Sequence, residues 1–370
     1  MKGRYERTDP KKGQVWKKVI LAVAAVLGIL FLVAIICGVI LYKSILGKLN
    51  QVDVPDIVYT TPEAQTVPLP EVTQAAATQS PEPTTVATTE PHIKSSADYI
   101  NFLVVGQAAR EGEAERFSDT MILCTVNTYE KTLTMTSLLR DSFVKMPDYK
   151  GRTGGRIKLT TIYHLGSVYG NGAAGSMELM NLTLFNNFGI EVDHNIEIDF
   201  DAFVRVVDLL GGIDLELTQA EADYLSVWSD YNAGPGFAHL NGTEALCYAR
   251  MRKAEGDNES DIVRTGRQRG LIEILLNQLR GKSISELNEI ANEALPLITT
   301  SMDDSEITQC LLTFIPMLSE LKIEEGGTCP ANYQGDMVDI YGEGIKHGVL
   351  RFNVEETKRT MRAITEGETP

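Results

Sequence analysis

The sequence predicts an α/β fold with a central mixed β-sheet flanked by helices on both faces, preceded by one transmembrane helix and a disordered stalk. Residues 19–41 form an unbroken apolar run without a charged residue, and residues 42–96 are rich in Pro, Thr and Ala. From residue 97 onward, short apolar runs alternate with longer segments of helical periodicity. Strands that alternate with helices are typical of α/β sheets.

The apolar run at residues 19–41 is predicted to cross a membrane. At about 1.5 Å per residue it spans roughly 34 Å, enough for a hydrocarbon core of about 30 Å. A cleaved signal peptide is the alternative, but the run exceeds the usual apolar segment of about 7–15 residues. The basic tail, residues 1–18, is expected to stay in the cytoplasm, so everything after the span lies outside the cell.

The stalk, residues 42–96, is predicted to be disordered because it contains too few apolar side chains to form a core. The chain as a whole has a formal net charge of -16. That charge argues against non-specific nucleic-acid binding. Among the five cysteines, Cys310 and Cys329 are the one pair that an oxidising exterior could bridge, and the spacing leaves this open.

The folded part begins with a strand, since residues 99–106 are a near-continuous apolar run that ends in glycine. We treat residues 97–281 as the main domain and residues 282–370 as a C-terminal extension packed on it. The other strands predicted in the main domain are residues 121–126, 133–138, 194–200 and 213–217, and its helices are residues 176–188 and 201–210. In the extension we predict helices at residues 284–298, 305–318 and 354–364, with short strands near 321–323 and 349–352.

Residues 250–269 concentrate positive charge in an acidic protein. Arg250 and Arg252 end an apolar run, so in an extended segment both guanidinium groups would leave the same face. Asp261, Arg264 and Gln268 have the spacing of one helical stripe. Guanidinium groups that converge in this way suit a phosphate or pyrophosphate. The alternative is a solvated loop paired to its own acidic residues.

Further charged groups follow predicted strands, where open α/β sheets bind their ligands. Arg140 and Asp141 follow residues 133–138 directly, which indicates either a buried ion pair or a site. The remaining groups are Arg110, Arg116, Asp119 and Lys158. Taken singly, Arg110 and Arg116 are better explained as partners of nearby glutamates.

Several common catalytic sites are excluded. The five histidines lack metal-ligand spacing, and neither a Gly-x-Ser-x-Gly nor a Gly-x-x-x-x-Gly-Lys pattern occurs. What remains is an anion site of arginines and carboxylates outside the cell, where ATP is absent. The phosphorylated donors available there are lipid-linked.

A series of short motifs then resembles the LytR-CpsA-Psr family of cell-envelope phosphotransferases, over roughly residues 98–280. The motifs are Ser118-Asp119-Thr120, Leu139-Arg140-Asp141, residues 158–163, residues 207–213, His239-Leu240-Asn241-Gly242, Arg250-Met251-Arg252 and residues 261–268. The resemblance implies an α/β/α sandwich. It also implies an enzyme that transfers a glycopolymer, such as teichoic acid or capsule, from a polyprenyl-pyrophosphate carrier to peptidoglycan at the plasma membrane.

The resemblance also implies site residues. Asp119 is expected to bind magnesium, Asp141 or Asp261 to remove the proton from the acceptor hydroxyl, and Arg140 to stabilise the transition state. The predicted pyrophosphate site comprises Arg110, Arg116, Arg140, Lys158, Arg250, Arg252, Arg264, Arg267 and Gln268. The predicted lipid pocket comprises Leu179, Leu182, Leu184, Phe185, Phe203, Val207 and Leu210.

Two departures from the family pattern affect this reading. Ala108 stands where the family usually has a second metal-binding aspartate, and alanine cannot ligate magnesium. Phe117 precedes Ser118, so that Arg116 lies one place earlier than the usual arginine. A binding module for polyprenyl-pyrophosphate lipid or for envelope regulation, without turnover, is therefore an alternative, as is a pyrophosphatase that uses water as the acceptor.

Overall fold

The computed structural model describes residues 49–57, 59, 98–107, 116–252, 261–279, 286, 289, 290, 293, 295–317 and 320–367. The predicted cytoplasmic tail (residues 1–18), the predicted span (19–41), most of the predicted stalk, and both Ala108 and Arg110 lie outside these residues. Among the helices that are described, none is long and apolar enough to cross a membrane.

The described strands are β1 (Asn50–Gln51), β2 (Tyr99–Gln107), β3 (Ser118–Asn127), β4 (Thr132–Leu138), β5 (Phe143–Lys145), β6 (Arg156–Lys158), β7 (His194–Asp199), β8 (Ile213–Leu217), β9 (Gly236–Leu240), β10 (Ile298–Thr300), β11 (Lys322–Cys329), β12 (Tyr333–Val338) and β13 (His347–Phe352). Seven of them form the central sheet in the order β1-β10-β7-β2-β3-β4-β11. Strands β2, β3 and β4 are antiparallel, whereas β7 pairs parallel to β2 and β11 parallel to β4. The sheet is therefore mixed.

The described helices are α1 (Leu159–Tyr169), α2 (Gly172–Phe188), α3 (Phe200–Leu210), α4 (Gln219–Trp228), α5 (Gly242–Arg250), α6 (Asp261–Leu279), α7 (Asp304–Met317) and α8 (Val354–Thr365). They cover both faces of the sheet because successive strand residues point to opposite sides. Val104 faces the core formed with α3, α4, α5, α6 and α7. Its neighbour Leu103 faces the core formed with α1, α2 and α8. We call these the α3–α7 face and the α1–α2 face.

Helices α1 and α2 pack at very short range through glycine. A Cβ added to Gly166 would lie 2.4 Å from the carbonyl oxygen of Gly175, so that any larger residue would push the helices apart. Gly170, Gly172 and Gly175 have the spacing of a dinucleotide-binding loop, but they connect two helices instead of a strand and a helix. Gly170 and Gly175 serve the close approach of α1 and α2, whereas Gly172 has open space around it and a φ of 53°.

The C-terminal segment is part of the sheet itself. Strands β10 and β11 pair with β7 and β4, on either side of the strands formed by the main domain. The predicted helix at residues 284–298 is wrong at its end, since Leu295–Leu297 is a 3₁₀ turn and Ile298 begins β10. The boundary predicted at residue 281 thus divides one sheet.

Cys310 and Cys329 are not bridged, and each described cysteine is free. The reason is topological, because Cys310 belongs to the core on the α3–α7 face and Cys329 to the core on the α1–α2 face. The sheet separates the two thiols.

Candidate functional site

Arg140 lies at the centre of a cluster of three carboxylates. Its Nη1 donates to Asp119 Oδ1 at 2.6 Å and its Nε donates to Asp261 Oδ2 at 3.1 Å. The same Nε is 3.6 Å from Asp141 Oδ2. Burial acts to lower the pKa of Arg140, but the charges of Asp261, Asp119 and Asp141 outweigh it and raise the pKa above its ordinary value. Arg140 therefore remains a cation in this site.

A β-bulge directs Asp119 toward this cluster. Gly106 pairs with Thr120, but the next residue, Gln107, pairs with Ser118, so Asp119 is an extra residue in β3. Such a bulge interrupts the alternation of side chains along a strand. As a result, Asp119 and Thr120 both line the same cavity.

The segment of Arg140 and Asp141 is fixed by the start of α1. The amide of Thr160 donates to the carbonyl oxygen of Arg140 at 2.9 Å, and the amide of Leu159 donates to that of Ser142 at 3.0 Å. Lys158, the last residue of β6, places its Nζ 2.7 Å from Asp141 Oδ1. These two backbone hydrogen bonds satisfy free amides in the first turn of α1. They also fix the backbone of the segment that carries Arg140 and Asp141.

Helix α6 adds the stripe of Asp261, Arg264 and Gln268. Arg264 is 3% exposed, and its Nη2 lies 3.3 Å from Asp261 Oδ2. Its Nε and the Oε1 of Gln268 are buried and have no hydrogen-bond partner among the described residues. Burial lowers the pKa of Arg264; Asp261 raises it, while Arg140 and Arg252 lower it further. An anion beside Arg264 would accept a hydrogen bond from its Nε. It would also reduce the repulsion between Arg264 and the cations Arg140 and Arg252.

Part of this charged cluster borders a cavity of about 810 Å³, whereas Arg140, Asp141 and Asp261 are not among the lining residues. The polar lining consists of Asp119, Thr120, Arg250, Arg252, Arg264 and Gln268. The remaining wall is largely apolar and is formed by Phe200, Tyr224, Trp228, Thr243, Leu246 and Cys247. The size lies in the range of about 300–1,000 Å³ that is usual for ligand pockets. The arrangement suits a ligand with an anionic head and an apolar tail.

A comparison with known families identifies the family of this chain. The family model described as the LytR_cpsA_psr family matches residues 69–340. The chain belongs to the LytR-CpsA-Psr family.

Relatives and solved structures agree with this membership. A polyisoprenyl-teichoic acid–peptidoglycan teichoic acid transferase, TagU of Oceanobacillus iheyensis, is 31% identical over 217 residues, which are 58% of this chain and 62% of the relative. The chain thus spans under two thirds of that relative's length. A structure described as TagT bound to LIIa-WTA has a TM-score of 0.54 at 22% identity and covers 75% of this chain and 95% of its own. TagT with bound octaprenyl pyrophosphate lipid has a TM-score of 0.51 at 20% identity, with 75% and 95% covered.

Within this LytR-CpsA-Psr fold, Arg250 and Arg252 reach the cavity differently from our prediction. They do not end a strand, because Gly242–Arg250 is helix α5. The guanidinium carbon of Arg250, at the end of that helix, lies 4.7 Å from the ring centroid of Phe200. The sequence does contain the signal of this helix, since Asn241 and Glu244 form a capping box at its start.

Arg116 and Arg267 are bound to buried carboxylates and not to the cavity. Arg116 Nη1 lies 2.7 Å from Oε1 of Glu197, whose other oxygen accepts from Tyr163. Arg267 Nε lies 3.0 Å from Glu221 Oε1. A buried carboxylate is strongly destabilising when its cation is removed. We therefore infer that Arg116 and Arg267 stabilise the fold and do not bind the anion.

The seven residues predicted for one lipid pocket lie on opposite faces of the sheet. Leu179, Leu182 and Leu184 of α2 belong to the α1–α2 face, and the ring of Phe185 on the same helix lies tilted against that of Tyr59, with centroids 4.6 Å apart. Phe203, Val207 and Leu210 of α3 pack on the α3–α7 face. They are core residues and do not form a common pocket. The apolar cavity wall consists of residues that we did not predict, chiefly on α4 and α5: Phe200, Tyr224, Trp228, Leu246 and Cys247.

Proposed function

We propose that this protein is a membrane-anchored extracellular phosphotransferase, which moves a glycopolymer such as teichoic acid or capsule from a polyprenyl-pyrophosphate carrier to peptidoglycan. The observation that carries the proposal is Arg264, which is buried beside the cavity with an unpartnered Nε, opposite an apolar wall. A diphosphate would supply the missing acceptor and a polyprenyl chain would cover the wall. The names of TagU and TagT describe proteins that handle such molecules.

The proposed reaction is a displacement at phosphorus. A hydroxyl oxygen of peptidoglycan attacks the phosphorus that bears the glycopolymer, and a new phosphodiester bond forms. The bond from that phosphorus to the bridging oxygen breaks, and polyprenyl monophosphate leaves. Arg140, Arg264, Arg250 and Arg252 would offset the negative charge that develops on the leaving group.

Asp141 is our preferred acceptor for the hydroxyl proton. Asp261 Oδ2 already accepts hydrogen bonds from Arg140 and Arg264. Asp141 pairs through Oδ1 with Lys158, and its Oδ2 lies 3.6 Å from Arg140. Among the hydrogen bonds described here, Asp141 accepts one and Asp261 accepts two, so Asp141 is the less engaged carboxylate, as a general base needs. Asp261 is the alternative, and loss of transfer in Asp141→Asn with retained transfer in Asp261→Asn would decide for Asp141.

Magnesium is a separate part of the proposal, in which Asp119 would hold the ion and the ion would offset negative charge on the diphosphate. Among the described residues, no three His, Cys, Asp or Glu side chains form a group that could hold a metal ion. Asp119, the candidate ligand, accepts a hydrogen bond from Arg140 through Oδ1. Binding of magnesium by Asp119 remains a proposal, and a magnesium titration of transfer by wild type and Asp119→Asn tests it. Equal magnesium responses would remove Asp119 from the metal site.

The anchor and the location are proposed from the sequence. Residues 19–41 would cross the plasma membrane once, with residues 1–18 in the cytoplasm and the cavity on the cell-wall side. Fusion of a reporter to either end of the chain tests this orientation. The orientation would be contradicted if a reporter that functions only in the cytoplasm were active when fused to the C-terminus.

The deciding experiment uses the full chain in lipid nanodiscs with a lipid-linked glycopolymer and soluble peptidoglycan fragments. We expect mass spectrometry to detect the polymer–peptidoglycan phosphodiester and polyprenyl monophosphate. Arg250→Ala should abolish transfer and keep the fold, because Arg250 lies on the cavity rim. Arg205→Ala is the matched control, since Arg205 is exposed on α3. Retained transfer by Arg250→Ala would refute its assignment.

One observation favours a second candidate, a binding or regulatory module without turnover. Ala108 replaces the second metal-binding aspartate expected from the family pattern. Such a module would bind the pyrophosphate lipid with no dependence on magnesium and release no polyprenyl monophosphate. A pyrophosphatase would instead release free phosphorylated polymer in the same assay. The three functions thus give different products.

A further inference from the structure

The hairpin of β12 and β13 is attached to the chain at Asp141. The amide of Leu350 in β13 donates to the carbonyl oxygen of Asp141 at 2.9 Å. Ser142, which is fully buried, forms a parallel β-bridge with Leu350. Because the bridge is parallel, β13 runs in the same direction as the chain from Asp141 into β5. The loop, which precedes β13, therefore lies toward the side of Asp141. We call residues 339–346 the hairpin loop. The family match ends within it, at residue 340.

The hairpin is fixed against the neighbouring strand β5. Arg351 Nε lies 2.5 Å from Asp336 Oδ2 on the paired strand, and its guanidinium carbon lies 5.2 Å from the ring centroid of Phe143. At the end of β13, Phe352 stacks on Phe188 of α2 with ring centroids 5.1 Å apart. The hairpin therefore belongs to the α1–α2 face.

The hairpin presents apolar side chains to solvent. Tyr341 and Ile345 of the hairpin loop are 53% and 59% exposed, and Met337 of β12 is 56% exposed. Asp339 accepts hydrogen bonds through Oδ1 from the amides of Gly342 and Glu343 and through Oδ2 from that of Gly344. A loop ordered in advance loses little conformational entropy when a ligand binds.

The geometry expected for the displacement places the acceptor on the side of the hairpin loop. The cavity, which would hold the leaving polyprenyl phosphate, is lined from α4, α5 and α6 on the α3–α7 face. In an in-line displacement the nucleophile enters opposite the leaving group. Asp141, the proposed proton acceptor, pairs with Lys158 and is bonded to the hairpin on the other side. The acceptor hydroxyl would thus arrive past the hairpin.

The charges around the loop favour a carbohydrate over a membrane. Asp339 and Glu343 face solvent near the exposed apolar side chains, together with Lys346, whereas Asp336 is exposed but paired with Arg351. These carboxylates would repel an anionic lipid surface. An aromatic ring such as that of Tyr341 can stack on the apolar face of a sugar ring, while its hydroxyl bonds to the sugar hydroxyls.

We propose that the hairpin loop is the acceptor-binding surface, on which the glycan of peptidoglycan lies with one sugar ring stacked on Tyr341. This inference rests on the proposed transferase function and adds the position of its second substrate. Tyr341 would act on acceptor binding alone, since it is not among the residues that line the cavity that takes the donor.

The test compares Tyr341→Ala with Tyr129→Ala in the full chain in nanodiscs. Tyr129 is a matched control because it is 56% exposed and lies in the turn between β3 and β4, at the opposite end of those strands from Asp119 and Arg140. With soluble peptidoglycan fragments, Tyr341→Ala should raise the acceptor KM about tenfold, the loss expected for one aromatic contact. The donor KM and the kcat at saturating acceptor should not change. Tyr341→Phe should restore the acceptor KM.

The outcomes separate the two proposals. No transfer by the wild type would overturn the transferase function and this inference with it. Transfer by the wild type with an unchanged acceptor KM in Tyr341→Ala would overturn only the acceptor surface. Weaker sedimentation of Tyr341→Ala with anionic vesicles, at unchanged acceptor KM, would overturn it in favour of a membrane contact.

Discussion

Arg140 and Asp119, on different strand ends, are joined by a hydrogen bond of 2.6 Å between Nη1 and Oδ1. Since Arg140 also bonds Asp261, one guanidinium group holds carboxylates from β3 and α6 together. The charge balance of the site depends on this side chain.

Arg140→Ala should lower the rate of transfer at least about a hundredfold, the usual cost of removing a donor that stabilises developing charge. The change leaves Asp119, Asp141 and Asp261 with less positive charge between them. Arg140→Lys should recover only part of the rate, because an ammonium group cannot bridge two carboxylates as a guanidinium fork does. Single-turnover assays with lipid-linked donor measure both. A variant with near-wild-type rate would contradict the role of Arg140.

Trp228→Ala should weaken polyprenyl-pyrophosphate binding about tenfold without changing the affinity for inorganic pyrophosphate. The reason is that Trp228 belongs to the apolar lining of the cavity and offers an aromatic surface to the polyprenyl chain. Phe237→Ala serves as the control, since Phe237 is 79% exposed on β9 and is not a cavity residue. Calorimetry with both ligands distinguishes the effects. Equal losses for both ligands would place Trp228 in the anion site instead.

Arg267→Ala should destabilise the fold by about 3–5 kcal/mol, because it leaves the carboxylate of Glu221 buried without its cation. The two side chains are 8% and 11% exposed. The variant should still bind inorganic pyrophosphate under conditions in which it is folded. Urea denaturation and calorimetry measure the two properties, and a lost affinity in folded protein would return Arg267 to the anion site.

Glu221→Gln tests the ion pair of Glu221 and Arg267 through the pH dependence of stability. Burial raises the pKa of Glu221, but the amide of Thr218 and the guanidinium of Arg267 outweigh it and lower the pKa below its ordinary value of 4.5. A folded-state pKa that is lowered gives stability above the unfolded pKa and loses it as pH falls. The wild type should therefore exceed Glu221→Gln in melting temperature at pH 7, and the difference should shrink below about pH 4.5. A difference independent of pH would contradict this.

His194 should make the protein less stable in mild acid. Burial lowers its pKa from 6.5 to about 4, partly offset by Asp303, and Cys310 Sγ lies 3.7 Å from its Nε2. Between these values the unfolded chain takes up a proton that the folded protein refuses, so stability falls by about 3 kcal/mol as pH drops through that window. Urea titrations of wild type and His194→Gln check this. An equal slope in both would show that other groups cause the loss.

The sequence predicted the central strands and the charged residues better than it predicted which of them meet. Asp261, Arg264 and Gln268 lie on one helix, as their spacing indicates, because helical periodicity is a local property. The α2 and α3 leucines could not be assigned to a face, since that depends on the order of strands in the sheet. The bulge that directs Asp119 depends on pairing with β2 and leaves no pattern in β3 alone. The capping box at Asn241 marks the start of α5 in the sequence, although we predicted an extended segment before Arg250.

Strands β10 and β11, which come late in the chain, flank four strands that are synthesised much earlier. A polypeptide ending at residue 281 would retain every described residue of the cavity, yet β7 and β4 would each have one bare edge. Exposed edges recruit strands from other molecules. Productive folding must therefore wait until β10 and β11 have been synthesised, and truncated forms should self-associate before they can act.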